Sequence, residues 1–381
     1  MIKKYFYNFF FLVFFSVVSF SIGAKISPVS ELNSKDILIK NVFIINGLGD
    51  LRKKGSVRIS GEIIKSVGNL EETSGDIVID GNGLILAPGF IDTHSHHDEG
   101  LVIETGASAA ISQGITTIVR GMDGSASGLD ETGFTSLARY SNFFDSHPIA
   151  INVASFSAHN SIRSEVMGKD YKREASEDEI TRMQDLVALD MQAGAYGLST
   201  GLEYDPGIYS STKEVIALAK VAANYGGKYK SHIRSEDRYY WQAVNEIIEI
   251  GKQAQIPVNI DHWKLGAKFL WGKAAQVIAI LDAARAQGIE ITADVYPYVA
   301  WSSSITTLFP DRNFDDLNEA EFILENLASA EDIRFVHHSL HPEYVGKTVE
   351  EIAQDAGVEN EVMLSRLASD SYLNEALSEY V

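Results

Sequence analysis

The alternation of short apolar runs with amphipathic segments, between residues 84 and 298, most constrains the fold of this chain. Seven runs have the length and the β-branched content of buried strands, and they cover 84–94, 114–121, 149–156, 194–202, 227–234, 257–263 and 289–298. The intervening segments have a helical pattern, with Ser176 and Glu179 as a capping-box pair and Thr212 as a predicted N-cap. Alternating strands and helices indicate a parallel sheet, and seven such units favour an α/β fold of the (β/α)8, TIM-like barrel type. We therefore predict a barrel over residues 84–381, with seven strands visible and the eighth missing.

The segment before the barrel, residues 25–83, has a different pattern. Its short β-branched runs lie at 36–47, 55–68 and 76–89. Dipeptides that favour tight turns separate the strand residues, and these are Ser60-Gly61, Asp80-Gly81 and Asn82-Gly83. Such dipeptides next to short strands predict β-hairpins. We therefore expect residues 25–83 to form half of a small β-sandwich.

The N-terminal residues 1–24 have the pattern of a signal peptide. Lys3 and Lys4 precede a long apolar stretch, which ends in small residues that suit a signal peptidase. The alternative is an uncleaved membrane anchor, because the stretch is about long enough to span a bilayer. In either case we expect the bulk of the protein to be exported, and so to be periplasmic or secreted.

The composition excludes several classes of function. The chain has 381 residues, of which 52 are acidic and 32 are basic, and its formal net charge is -20. Proteins that bind nucleic acid or anionic membranes require basic patches, so we expect neither partner beyond the signal segment. The chain has no cysteine, which excludes a disulfide framework and thiolate metal ligands.

Side chains that commonly bind metals stand where the predicted strands end. His94 and His96 close the first strand, and a His-x-His pair on a strand places both rings on the same side. Further candidates lie at the ends of later strands, and these are Asp123, Glu203, His232 and His262. Because the carboxyl ends of barrel strands meet at one face, we expect all six side chains to lie together. Imidazole nitrogen with carboxylate oxygen suits Zn²⁺, although other divalent transition metals are possible.

Six segments in this order resemble one known family. They read APGFIDTHSHHD, QGITTIVRGMDG, GAYGLSTGLEYDPG, SHIRSE, NIDHWKLG and ADVYPYVAWSSS. Together they resemble the amidohydrolase superfamily, and within it the D-aminoacylase (N-acyl-D-amino-acid deacylase) branch, from about residue 36 to about residue 355. The resemblance implies a metal-dependent hydrolase barrel with one or two zinc ions. It also implies hydrolysis of a linear amide in a small molecule, either an N-acyl-D-amino acid or a dipeptide with a C-terminal D-residue.

The resemblance also implies roles for individual residues. His94 and His96 match the pair that binds the more weakly held metal, and His232 and His262 match ligands of the main zinc ion. The residues that match the family's binding site for the substrate carboxylate are Lys264, Tyr296 and Ser302. The alternative for Lys264 is an ordinary surface ion pair. Tyr296 and Ser302 could instead close the junction between a strand and a loop.

The chain departs from the family pattern on the second strand. The family has a metal-binding cysteine there, whereas this chain has Asp123, and a carboxylate can replace a thiolate on zinc. Alternatively, Asp123 only caps the following turn and Glu203 bridges the metal ions from the fourth strand; both could also serve. Arg163 and Arg234 are further cations near strand ends, although structural ion pairing is the favoured interpretation of both.

The family's general acid/base is an aspartate at the end of the eighth strand, and we expect it beyond Val381. Asp370 comes too early and lies in helix-like sequence. The chain therefore has the pattern of a C-terminally truncated member, and its catalytic residue is not identified. Two alternatives to deacylation follow. One is another amidohydrolase reaction, such as that of a cyclic amidase or a dihydroorotase-like enzyme, and the other is an inactive, metal-binding remnant.

Overall fold

The computed structural model describes residues 35–126, 136–338 and 340–373. The chain divides into two compact units, and the division falls between Pro88 and Gly89. The predicted signal peptide lies outside the described residues. Within the described residues, no helix is both long and apolar enough to cross a bilayer.

The first unit is a five-stranded sheet. Its strands are β1 (Ile37–Ile44), β2 (Lys53–Ser60), β3 (Ile63–Gly68), β4 (Ile77–Asp80) and β5 (Ile85–Leu86). The order is β3-β2-β1-β4, and β5 pairs with the far end of β1. Strands β2 and β3 are antiparallel and joined at Ser60-Gly61, where Gly61 has a φ of 58°, so the first hairpin prediction is confirmed. Leu38 and Val42 of β1 and Val57 of β2 are buried and form the apolar centre of this sheet.

The two other predicted hairpins, over residues 80–83, are not formed. Strands β4 and β5 both run parallel to β1, so the chain continues in one direction instead of reversing. The backbone N–H of Gly81 donates to the carbonyl of Lys40 at 2.8 Å, and that of Gly83 donates to Asn41 at 2.7 Å. Asn41 has a φ of 55° and lies at an irregularity in β1. The prediction was wrong because β4 and β5 pair with β1 on either side of this irregularity. The residues between them therefore keep the chain on the same edge of β1.

The second unit contains two parallel ladders. Its strands are β6 (Phe90–Asp92), β7 (Ile115–Arg120), β8 (Asn152–Ser155), β9 (Ser157–Ala158), β10 (Gly197–Gly201), β11 (Lys228–His232), β12 (Val258–Ile260) and β13 (Ile291–Ala293). One ladder is β6-β7-β8 and the other is β9-β10-β11-β12-β13. Only Phe156 separates β8 from β9, so the two occupy one strand position of the barrel. This position begins within the third predicted strand, 149–156, and ends two residues beyond it. The prediction of a (β/α) barrel with seven parallel strands is confirmed.

The first predicted strand, 84–94, is divided between the two units. Ile85–Leu86 pairs with β1, whereas Phe90–Asp92 pairs with β7. Proline has no N–H with which to continue a ladder, and Pro88 lies at the break. Gly89 follows Pro88. A Cβ at position 89 would lie 2.1 Å from Oγ1 of Thr116, so a side chain there would have to displace Thr116.

The helices lie between and after the strands. They are α1 (Asp98–Ile103), α2 (Ser108–Ile111), α3 (Leu137–Ser146), α4 (His159–Met167), α5 (Glu177–Gln192), α6 (Thr212–Asn224), α7 (Tyr240–Ala254), α8 (Ala274–Ala286), α9 (Leu317–Asn326), α10 (Val349–Ala356) and α11 (Asn360–Leu373). The predicted capping box of Ser176 and Glu179 is present at the start of α5. Helix α6 is capped by Ser211 and not by Thr212, because the Ser211 hydroxyl accepts the N–H of Glu214.

The core lies between the ladder β9-β10-β11-β12-β13 and helices α5, α6 and α7. Leu198 of β10, Tyr229 of β11 and Ile260 of β12 are all fully buried. Val215 of α6 and Ile247 of α7 belong to the same buried apolar cluster. Burial of each such aliphatic side chain stabilises the fold by about 1.5–3 kcal/mol, so this packing holds the strand ends in place.

Gly197 in β10 provides a test of the close approach between β10 and β11. A Cβ at this position would lie 1.8 Å from the carbonyl oxygen of Lys228, so a side chain would push the two strands apart. We expect Gly197→Ala to lower the free energy of unfolding by about 3 kcal/mol or more. The matched control is Gly194→Ala, where φ is 100° and nothing lies within 4 Å, with an expected loss of about 1 kcal/mol. Urea unfolding followed by circular dichroism measures both, and equal losses would contradict this account.

Candidate metal centre

All six predicted metal ligands line one cavity of about 440 Å³ in the second unit. The three predicted substrate-binding residues, Lys264, Tyr296 and Ser302, line the same cavity. Each of the six follows or ends a strand of the two ladders, at its carboxyl end. Parallel strands bring these ends to one face, as the barrel prediction requires.

The pair after β6 has the predicted alternation. The Nε2 atoms of His94 and His96 lie 3.3 Å apart, and both rings face the cavity. Ser95 between them is buried, and its hydroxyl lies 2.7 Å from Nδ1 of His97. His97 does not line this cavity.

Asp123 lies among three of the predicted histidine ligands. Its Oδ2 is 3.2 Å from Nε2 of His96 and 3.4 Å from Nε2 of His94. Its Oδ1 is 3.1 Å from Nε2 of His262. The Asp123 carboxylate therefore connects the ends of β6, β7 and β12.

A tight turn after β7 directs Asp123 into the cavity. Asp123 has a φ of 52°, and its neighbours Gly121 and Gly124 have φ values of 77° and 69°. A Cβ on Gly121 would lie 2.5 Å from the carbonyl oxygen of Phe156, and one on Gly124 would lie 2.2 Å from Asn160. Non-glycine residues with positive φ are uncommon, and they often occur at functional sites.

The second group of contacts surrounds His232 at the end of β11. Its Nε2 is 2.7 Å from Oε2 of Glu203, and its Nδ1 is 3.1 Å from Nε2 of His262. Nδ1 of His262 lies 3.0 Å from Oε1 of Glu236. Glu203 thus contacts one predicted histidine ligand, whereas Asp123 contacts three. This difference supports Asp123 as the shared carboxylate.

Three sets of side chains have donor atoms within 4.8 Å of one another, and they are His94–Asp123–His262, His232–Glu236–His262 and His94–Asp261–Asp294. His262 belongs to two of the sets and His94 to two. Mixed imidazole and carboxylate donors that are largely buried suit Zn²⁺. The residues present therefore fit a centre of one or two zinc ions.

Glu236, Asp261 and Asp294 were not among the predicted site residues. Glu236 follows His232 by four positions, and Asp261 directly precedes His262. Asp294 directly follows β13. Asp294 was missed because the seventh strand was predicted over 289–298, whereas it ends at Ala293, which leaves Asp294 at the strand end.

The carboxylates dominate the electrostatics of the site. Burial alone would lower the pKa of His94, but the negative charges of Asp123 and Asp261 outweigh it and raise this pKa to about 9. Burial also opposes the charged form of His262, and Glu236 and Asp123 raise its pKa to about 10. Burial raises the pKa of Asp123, but three neighbouring histidines hold it well below its usual range. A field that favours charged imidazoles also favours a divalent cation.

Lys264 lies inside the cavity and not in an ordinary surface ion pair. Its ammonium pairs with Oε2 of Glu236 and lies 2.9 Å from Nδ1 of His262. The ammonium also lies 5.6 Å from the centre of the Tyr296 ring. These contacts support a role in binding an anionic group next to the histidines.

Other polar residues that follow strands serve the fold. His159, after the third strand, is fully buried and lies 2.8 Å from Oε1 of Glu214. The side chain of Arg163 is buried and lies 3.3 Å from the same carboxylate. Arg234 binds both oxygens of Glu246, at 2.8 and 2.9 Å. These contacts therefore favour structural ion pairing as the role of both arginines.

Comparisons with known proteins identify relatives of the chain. A model of the amidohydrolase family matches residues 77–291. The N-acyl-D-glutamate deacylase of Alcaligenes xylosoxydans xylosoxydans is 34% identical over 359 residues, which cover 90% of this chain and 70% of that protein. The solved structure of the N-acyl-D-glutamate deacylase from Bordetella bronchiseptica, in complex with zinc and a phosphonate inhibitor, matches with a TM-score of 0.78 and 30% identity over 91% of this chain and 71% of that one. A solved D-aminoacylase with a binuclear metal centre matches with a TM-score of 0.77 and 29% identity, over 90% of this chain and 70% of that chain.

The contacts of Asp123 and Glu203 predict different effects on metal binding. We expect Asp123→Asn to lower the affinity for zinc about 100-fold, because the amide weakens the contact shared by three histidines. We expect Glu203→Gln to lower it by about tenfold or less. Competition with a chelator and the metal content after dialysis measure both effects. A larger loss for Glu203→Gln would make Glu203 the bridging ligand.

Proposed function

Because the chain belongs to the amidohydrolase family, we propose that it hydrolyses the amide bond of N-acyl-D-amino acids at a zinc centre in this cavity. The prediction of a metal-dependent hydrolase of the D-aminoacylase type, made from the ordered motifs, is confirmed by the relatives. The observation that carries the proposal is that all predicted metal-binding and substrate-binding residues line one cavity.

A bound zinc ion would polarise the scissile carbonyl and lower the pKa of a water molecule. His94, His96, Asp123, His232 and His262 would hold the metal, with Glu203 as a further candidate. Lys264 would bind the substrate carboxylate through its ammonium, and Tyr296 and Ser302 would orient it. Holding the carboxylate at a fixed distance from the ligands places the amide carbon for attack and selects one configuration at Cα.

The reaction also requires a group that moves a proton from the attacking water to the leaving amine. Two carboxylates of the cavity are unsuited to this role, because each is engaged by a lysine. Lys264 and His262 offset the effect of burial and lower the pKa of Glu236. Lys230 does the same for Asp294. Glu236 and Asp294 are therefore poor candidates for proton transfer, and the catalytic group is not identified among the described residues.

The lining of the cavity favours substrates with an uncharged D side chain. Its carboxylates are Asp92, Asp123, Glu203, Glu236, Asp237 and Asp294. Of the described residues that line it, Lys264 is the single lysine or arginine. Aromatic side chains, among them Tyr204, Tyr298 and Trp301, complete the lining. A second carboxylate on the substrate would therefore enter a negative cavity without a cationic partner.

A substrate panel tests this proposal. We expect the kcat/KM for N-acetyl-D-methionine to exceed that for N-acetyl-D-glutamate by about tenfold or more, because an unpaired carboxylate would be desolvated next to like charges. The N-acetyl-L-amino acids serve as controls and should react at least 100-fold more slowly, by order of magnitude. A preference for L substrates would overturn the proposal. Turnover of hydantoins alone would favour the cyclic-amide alternative, and absence of any turnover by the zinc-loaded protein would favour the inactive remnant.

We also propose that the protein is exported and works on small molecules, with no nucleic-acid or membrane partner beyond its signal segment. The apolar stretch within residues 1–24 and the net charge of -20 support this assignment. We expect expression of the full chain in a bacterium to give a periplasmic or secreted product that begins near Lys25. Mass spectrometry of the N-terminus measures this. An intact N-terminus in the membrane fraction would support the anchor instead, and one in the cytoplasm would exclude export.

A further inference from the structure

A group of buried charges lies next to the metal cavity, and the proposed reaction does not use it. Lys230 projects from β11 two positions before His232, so the two side chains lie on the same face of the strand. Only 6% of Lys230 is exposed, and Asp261, which pairs with it, is fully buried. A lysine is seldom this buried unless it is paired, so its partners indicate its role.

The ammonium of Lys230 binds three oxygen atoms. It lies 2.9 Å from Oδ1 of Asp261 and 2.9 Å from Oδ2 of Asp294, and it donates to the carbonyl of Thr93 at 3.1 Å. Three acceptors match the three protons of an ammonium group. Thr93 follows β6 of one ladder, whereas the two aspartates follow β12 and β13 of the other. Lys230 therefore connects the two ladders across the interior of the barrel.

Asp294 transmits this contact to His262. Its Oδ1 accepts the backbone N–H of His262 at 2.6 Å. His262 has a φ of 32°, a conformation that a non-glycine residue adopts only when its surroundings hold it there. This backbone directs Nε2 of His262 to within 3.1 Å of Asp123. The position of one predicted ligand thus depends on a carboxylate that Lys230 holds.

Asp261 and Asp294 face a second predicted ligand, His94. Its Nδ1 lies 3.6 Å from Oδ1 of Asp261 and 3.8 Å from Oδ1 of Asp294, which are ion-pair distances. Its Nε2 faces the cavity, 3.4 Å from Asp123. A histidine that binds metal through Nε2 is commonly oriented by a carboxylate on its Nδ1 side.

We propose that Lys230 is a positioning residue of the metal centre, which acts by holding Asp261 and Asp294 against His262 and His94. Its ammonium is the cation of the set His94–Asp261–Asp294, so this set orients ligands and does not itself bind zinc. The inference rests on the zinc centre of the proposed function, but it requires neither a particular substrate nor turnover.

The sign of the effect of Lys230→Met on zinc affinity tests the proposal. A cation near a zinc site repels the metal, so if Lys230 acted by charge alone, its removal would strengthen zinc binding. If Lys230 positions the ligands, its removal should weaken zinc binding about 10- to 100-fold. The matched control is Lys228→Met on the same strand, whose ammonium is exposed and lies 3.5 Å from Glu290, and we expect no change. Chelator competition on the full chain measures all three proteins, and unchanged or tighter zinc binding by Lys230→Met would overturn the proposal.

A second variant separates positioning from the folding defect that an unpaired buried carboxylate would cause. The double variant Lys230→Met/Asp261→Asn removes one positive and one negative charge, so the melting temperature of the metal-free protein should recover most of what Lys230→Met loses. Its affinity for zinc should still lie about tenfold or more below that of Asp261→Asn alone, in which Lys230 still holds Asp294. Equal affinities of these two proteins would overturn the proposal. Failure of both Lys230→Met variants to fold, judged by circular dichroism, would reduce Lys230 to a folding role.

These measurements remain distinct from the test of the proposed function. Zinc binding is measured without substrate, so an inactive chain still reports the effect of Lys230→Met. Conversely, a protein that turns over N-acyl-D-amino acids but binds zinc equally well without Lys230 would keep the proposed function and lose this inference.

Discussion

The concentration of negative charge at the carboxyl ends of the strands is the constraint on which the rest of the site depends. Six carboxylates line the cavity, and Asp261 lies buried beside it. Each buried carboxylate costs several kcal/mol unless an opposite charge pairs with it. In the metal-free chain, protonated imidazoles supply part of that charge, since the pKa of His94 is raised to about 9 and that of His262 to about 10. A divalent cation would replace these protons, so metal binding and the stability of this face are coupled.

The fold provides this arrangement through backbone conformations that are unfavourable in isolation. Asp123 and His262 both have positive φ, and both are candidate ligands on short turns after strands β7 and β12. Such conformations cost about 1–3 kcal/mol each and persist only where the surroundings hold them. At Asp123 the close packing of Gly121 and Gly124 holds the turn, and at His262 the hydrogen bond to Asp294 does so. The rigid parallel ladders thus support turns that carry the chemistry.

The barrel and most of the site could be predicted from the sequence because both follow from local patterns. Apolar runs in alternation with helical segments identify parallel strands, and the polar residues at five of the seven strand ends identify the candidate ligands. The rule fails at the third strand end, where His159 pairs with Glu214 and serves the fold. The turn over residues 80–83 could not be predicted, because its direction depends on an irregularity in β1, some 40 positions earlier in the chain. The role of Lys230 was hidden for a similar reason. Its partners lie on three other strand ends, and a lysine in a strand usually indicates a solvated edge.

The two lysines of the site show why local charge, and not the net charge of -20, decides what this protein can bind. Lys264 lines the cavity, pairs with Glu236 and lies near Tyr296, where the proposed function has it bind the substrate carboxylate. Lys230 does not line this cavity and is enclosed by Asp261, Asp294 and the carbonyl of Thr93. The first lysine is therefore placed to meet a ligand, whereas the second is placed to hold the protein's own carboxylates. Under the proposed function, Lys264 faces the cavity and attracts the anionic substrate. Lys230 limits the mutual repulsion of Asp261 and Asp294, so an acidic chain can still bind an anion.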